Sequence, residues 1–113
     1  MGSFETDPAE SSPLLRPLSV AKRREDLYSE ARDMVADLAG WKLVRAEEAA
    51  LVLHCERKGA LLGGTARITL RVEGPDGIPS ATLHVRSESS GLFARDRANV
   101  REFLEPFTRR VGL

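Results

Sequence analysis

Two residue pairs invite a chemical reading first. His54 and Cys55 are adjacent, and a histidine next to a thiol is the minimum set for nucleophilic catalysis. Their surroundings, Leu51, Leu53 and Cys55 alternating with Val52, His54 and Glu56, have the period of a strand. Neighbours in a strand point to opposite faces, so the pair cannot act together there. The expectation is a core cysteine beside an exposed histidine. His54 and His84 would share a sheet face, but no Cys, Asp or Glu joins them at ligand spacing, so neither a metal nor another cofactor is expected.

The second grouping is basic. Arg67, Arg71, His84 and Arg86 alternate with apolar residues along two successive strands, which sends all four to one face, flanked by Glu73 and Glu88. Such a face is either a set of solvated cross-strand ion pairs or a site for an anion or a protein partner. Arg95, Arg97 and Arg101 form a smaller group near the last helix. Gly59-Ala60-Leu61-Leu62-Gly63-Gly64 is glycine-rich but lacks the Gly-Lys-Ser/Thr ending of a phosphate loop and precedes a strand, so it reads as a β–β connection. Two short patterns occupy the N-terminus. Gly2 and Thr6 fit a myristoylation pattern, and Glu10-Ser11-Ser12-Pro13-Leu14-Leu15 has the form of an acidic dileucine signal, which requires an unfolded flank.

These residues need elements to position them. Residues 1–18 carry Pro8, Pro13 and Pro17 among acids and serines, and are expected to be a disordered tail before one domain over 19–113. A helix is predicted from Ser19 or Val20 to Ala39, because Leu27, Ala31, Met34, Val35 and Leu38 make one apolar stripe, with Gly40 as its terminator. Four strands follow: Trp41–Ala46, Ala49–Arg57, a third around Ala66–Glu73, and a fourth around Ala81–Arg86. Gly74-Pro75-Asp76-Gly77 predicts a hairpin between the last two. A final helix runs from Asp96 to Arg110, with Asp96 as its cap, Val100, Phe103, Leu104 and Phe107 on one stripe, and a kink expected at Pro106. The fold class is α+β: a four-stranded antiparallel sheet with two helices on one face, in the order α-β-β-β-β-α.

The chain has 113 residues, enough for one core, and Lys+Arg and Asp+Glu both number 17. Zero formal charge argues against a nucleic-acid partner. One cysteine, no apolar run long enough to span a bilayer and no apolar leader point to a soluble, intracellular protein, with the cytoplasm as the expected location.

Three stretches give the chain a family likeness. Gly40-Trp41-Lys42-Leu43-Val44, Leu61–Val72, and Arg86-Ser87-Glu88-Ser89 followed by Asn99 and Phe103-Leu104 resemble the bacterial and plastid family called domain of unknown function 1499. Ala66 and Arg67 stand where that family has paired aspartates, Asp96 falls one place late, and Ser90 replaces a second arginine. The resemblance implies no settled activity.

The expected function is a non-catalytic protein- or ligand-binding domain. Its contact surface would use Arg67, Arg71, His84 and Arg86, with Asn99 either in the adjoining loop or tying that loop to the helix. One alternative is a nucleic-acid module, since double-stranded-RNA-binding domains also run helix, antiparallel sheet, helix. The other is a small enzyme built on Cys55, the histidines and scattered carboxylates.

Overall fold

A computed structural model describes residues 2–59, 64–90 and 95–112. The expected antiparallel sheet is present, but it has six strands rather than four. In chain order these are β1 (Gly2–Glu5), β2 (Leu18–Val20), β3 (Trp41–Glu47), β4 (Val52–Lys58), β5 (Thr65–Glu73) and β6 (Ala81–Ser89). Helix α1 (Arg24–Asp37) lies between β2 and β3, and α2 (Asp96–Val111) follows β6. The sheet runs β1-β6-β5-β4-β3, with β2 beside β1 on the same edge of β6.

The two additional strands come from the segment expected to be disordered. Gly2–Glu5 pairs with Arg86–Ser89, and Leu18–Val20 pairs with Ala81–Leu83, so the first twenty residues close one long edge of β6. Between them the chain leaves the sheet and returns. Thr6 keeps the ladder going at the break: its N–H donates to the Val85 carbonyl (2.9 Å) and its hydroxyl accepts from the Val85 N–H (3.1 Å). The excursion carries a 3-10 turn, Pro13–Leu15, which drives Leu15 into the core at 1% exposure. Prolines therefore shape a loop here rather than prevent order. The dileucine reading loses its premise, because Leu15 is inside the protein.

Helix α1 starts later than predicted, because Leu18–Val20 is taken by β2 and the helix begins at Arg24. Gly40 has φ +82 and carries the chain around into β3. The β3–β4 connection takes Ala49–Leu51, which the alternation had assigned to a strand, and Leu51 sits there at φ +57, only partly buried. The predicted β5–β6 hairpin forms, with Gly77 at φ +72. Helix α2 runs through Pro106. Both helices cover one face of the sheet, as expected. Leu27, Ala31, Met34 and Val35 of α1 and Val100, Phe103, Leu104 and Phe107 of α2 are buried against Leu53, Ile68, Leu70, Leu83 and Val85. Leu38, expected in the core, is only partly buried. Among the described residues no helix is long and apolar enough to cross a membrane.

Candidate functional site

Strand register sorts the side chains into two faces. On the open face, Glu88, Arg67, Glu56 and Lys42 stand side by side across β6, β5, β4 and β3, with sign alternating at every step. Arg71 lies 2.7 Å from Glu73 on its own strand, His84 reaches the same carboxylate from β6 at 2.7 Å, and Arg86 lies 3.2 Å from Glu88 on its own strand. His54 is paired with Glu47. The hydrogen bond from His84 holds the Glu73 carboxyl below its ordinary value, and that from His54 does the same for Glu47. The structure thus puts Arg67, Arg71, His84 and Arg86 on one face, as the alternation predicted. It also pairs Arg71, His84 and Arg86 with Glu73 and Glu88, while Arg67 stands between Glu88 and Glu56 in register.

Asn99 is elsewhere. It is buried on the helix side, where the sheet presents a graded surface. The row Ala46, Leu53, Leu70, Val85 is apolar throughout. The next row toward the start of α2 reads Leu43, Cys55, Ile68, Ser87, Phe4, and the last reads Trp41, Arg57, Ala66, Ser89, Gly2. Small and polar residues collect at that end. Helix α2 matches the gradient: its sheet-facing side begins with Asp96, Asn99 and Glu102 and continues as Phe103, Leu104 and Phe107.

These groups form two hydrogen-bonded clusters. In the first, the Ser87 hydroxyl donates to Asp96 Oδ1 (2.7 Å) and accepts from Asn99 Nδ2 (3.2 Å). The Ser89 hydroxyl lies 3.0 and 2.9 Å from the two Asp96 oxygens. Asp96 is 7% exposed, so its partners offset most of what burial costs. It was expected to cap its own helix, but the helix has no side-chain cap; Asp96 reaches back to β6 instead. In the second cluster, Glu102 accepts from the Trp41 indole N–H and from Arg57, whose NH2 group is 2.8 Å from Oε2. Arg57 above all, and then Trp41, hold the Glu102 carboxyl below the usual carboxylate value. The apolar side of this end is the Trp41 and Phe103 ring pair, with centroids 5.6 Å apart.

Two clefts open onto this end, one on each side of Gly2 and Ser3. One, of about 400 Å³, is bounded by Thr65, Arg67, Glu88, Ser89 and Ser90. The other, of about 360 Å³, is bounded by Phe4 and Arg95–Ala98. Ser89 and Asp96 are the points at which the clefts touch the first cluster. Arg97, one of the basic residues near α2, is engaged by Glu10 at 2.8 Å and lies over the Phe4 ring at 4.6 Å.

Cys55 is buried on the helix side, and burial pushes its thiol up to about 12. His54 faces the other way, as the strand period required. Among the described residues no group of three or more His, Cys, Asp and Glu is placed to hold a metal ion. Of the glycine-rich connection, residues 60–63 lie outside the described residues, as do 91–94 of the loop between Arg86 and Asn99.

No family model matches the chain, and no curated protein does. Its fold, however, is shared by solved structures. BexL, a di-domain aromatase/cyclase from the BE-7585A biosynthetic pathway, superposes with a TM-score of 0.57 at 10% identity; 97% of this chain is covered, which spans only 43% of BexL. A protein from Thermobifida fusca solved by NMR gives a TM-score of 0.57 at 12% identity, covering 96% of this chain and 95% of its own. The ZhuI aromatase/cyclase from Streptomyces sp. R1128 gives 0.54 at 14%, covering 96% and 85%. At these identities the likeness is one of fold.

Proposed function

We propose that this protein is a non-catalytic binding domain for a small organic ligand, held where the sheet meets the start of α2. The observation that carries this reading is the gradient between the layers: an apolar interlayer ends in buried hydroxyl, amide and carboxyl groups at Ser87, Ser89, Asp96 and Asn99, with the half-buried Glu102 beyond them, and clefts of about 400 and 360 Å³ reach this cluster at Ser89 and Asp96. Concave sites of roughly 300–1,000 Å³ with a few fixed polar groups beside aromatic surface are the ordinary form of small-molecule sites. The ligand class that suits this lining is a ring compound carrying hydroxyl groups, with its ring against Phe4 and its hydroxyls toward Asp96. The names of the aromatase/cyclases that share the fold recommend the same class as a first probe.

The chemistry of the groups supports binding without catalysis. A general acid or base works best with a pKa near the working pH. Glu102 is held below the ordinary carboxylate value, and the Asp96 oxygens are occupied by two serines. The Cys55 thiol, raised to about 12, is a poor nucleophile at neutral pH. The open face, where the sequence placed the contact surface, fits the role less well, because three of its four basic residues, Arg71, His84 and Arg86, are already paired with Glu73 and Glu88.

Trp41 is the sole tryptophan and lies in the same row as Ser89, three strands across the sheet, so its emission reports on an absorbing ligand held at that end. Titration with 1,8-dihydroxyanthraquinone should quench its fluorescence saturably, and Ser89→Leu, which fills the row beside Ala66, should weaken the effect at least tenfold. Quenching that never saturates, or that is unchanged by Ser89→Leu, would contradict the assignment.

A further inference from the structure

The two long edges of the sheet are treated differently. The β6 edge is covered by β1 and β2. The outer edge of β3, seven residues from Trp41 to Glu47, pairs with no strand among the described residues. The Lys58 N–H donates to the Gly40 carbonyl (2.9 Å), which fixes Gly40 toward β4. Antiparallel alternation then turns the N–H and C=O of Leu43 and the C=O of Trp41 outward, away from β4, while the Trp41 N–H donates to the Leu38 carbonyl (3.2 Å). An edge of this length is a template for another strand unless it is protected.

A bulge breaks the register between Leu43 and Arg45, and Val44, the residue it adds, is 56% exposed. A bulge and a lysine can both serve to keep an edge unpaired. Against these, β3 carries complementary charge at a matching register: Lys42 has no ion-pair partner among the described residues, and Glu47, held by His54 and 3.5 Å from Arg45, is exposed and can take a further cation. Because the bulge shifts the alternation by one, Lys42 and Glu47 both lie on the open face, while Leu43 and Ala46 both lie on the helix side. When a second copy's β3 is laid antiparallel beside the first with Lys42 opposite Glu47, Leu43 falls opposite Ala46 and Val44 opposite Arg45. The Lys42–Glu47 and Leu43–Ala46 pairs then each join residues of one face, and two-fold symmetry repeats both. Sliding the copies by two residues in one direction sets Lys42 against Arg45, and sliding by one sets Arg45 against its own copy.

We propose that β3 pairs with β3 of a second copy of this chain in that register, joining two six-stranded sheets into one continuous sheet across a two-fold axis. Such an isologous contact is the commonest way for two copies to associate. It covers Val44 and leaves the α2 end of each copy accessible.

The test is the mass of the full chain in solution by sedimentation velocity from 1 μM to 1 mM. Wild type should move from one chain mass to two as concentration rises. Lys42→Glu faces each acid with another, and Glu47→Lys faces each lysine with another, so either change alone should weaken dimerisation about tenfold or more. The double swap, Lys42→Glu with Glu47→Lys, restores opposite charges across the axis and should return the dimer. Both substituted positions are exposed, and matching thermal melts would confirm that each of the three variants is folded. A wild type that stays monomeric to 1 mM would overturn the pairing. So would single variants that dimerise like wild type, or a double swap that stays monomeric.

Discussion

The two faces of this sheet carry polar groups in similar variety and use them in opposite ways. On the open face, arginines, histidines and glutamates stand in alternating order in water, where each pair contributes well under ~1 kcal/mol and screening weakens it further. On the helix side, few polar groups are present, and those at Ser87, Ser89, Asp96 and Asn99 are buried and bonded to one another. Removing one member there strands its partners away from water. A crowd of charges therefore marks the face with the least at stake, and four quiet residues mark the end where substitution is costly.

The largest effect expected on the helix side comes from the N-terminal segment. Deleting residues 1–17 removes β1, empties the pocket filled by Leu15 and exposes the edge of β6. Emptying the Leu15 site alone corresponds to roughly 2–5 kcal/mol. The deletion should therefore lower the melting temperature more than any single substitution, and a melt close to wild type would mean that the segment is not docked. Next comes Asp96→Ala, which takes the acceptor from two serine hydroxyls. It should cost about 1–3 kcal/mol in chemical denaturation. A cost near zero would show that the cluster is not sealed from water.

A smaller effect concerns acid. Because the folded-state pKa of Glu102 is depressed, mainly by Arg57, its contribution to stability is full above the ordinary carboxylate value and is lost as pH falls through the lower folded value. Glu102→Gln should flatten the stability-against-pH curve below about pH 4.5, the range in which the unfolded carboxylate takes up its proton. An unaltered acid limb would contradict the Arg57–Glu102 contact. The smallest effect is expected on the open face, where Arg71→Gln and Arg86→Gln should each change stability by no more than about 0.5 kcal/mol. A large loss from either would mean that the open face is structural.

Much of this architecture is legible in the sequence. The alternation of Ala66, Ile68, Leu70 and Val72 and of Ala81, Leu83 and Val85 places β5 and β6, and the stripes at Leu27 and Phe103 place both helices. The N-terminal strands are not, because Phe4, Leu15, Leu18 and Val20 follow no period: they belong to two short edge pieces and a loop, ordered by long-range contact with β6 and α2. A usable signal for the site does exist. Extending the inward positions of β6 past Val85 reaches Ser87 and Ser89, and extending the α2 stripe back from Phe103 reaches Asn99 and Asp96. Polar residues at four predicted core positions mark a buried cluster. The arginines of the open face are the denser pattern in the sequence, but the pairing of Arg71 with Glu73 and of Arg86 with Glu88 depends on side-chain geometry that spacing does not convey.

The account rests on the polar end, rather than the open face, being where a ligand is held. An amide-resolved NMR titration of the full chain with 1,8-dihydroxyanthraquinone separates the two in one experiment. Saturable shifts should gather at Gly2, Phe4, Ser87, Ser89, Asp96 and Asn99, and persist in the Arg71→Gln, Arg86→Gln double variant. Shifts centred on Arg71, His84 and Arg86, or none at either place up to the solubility limit of the probe, would contradict it.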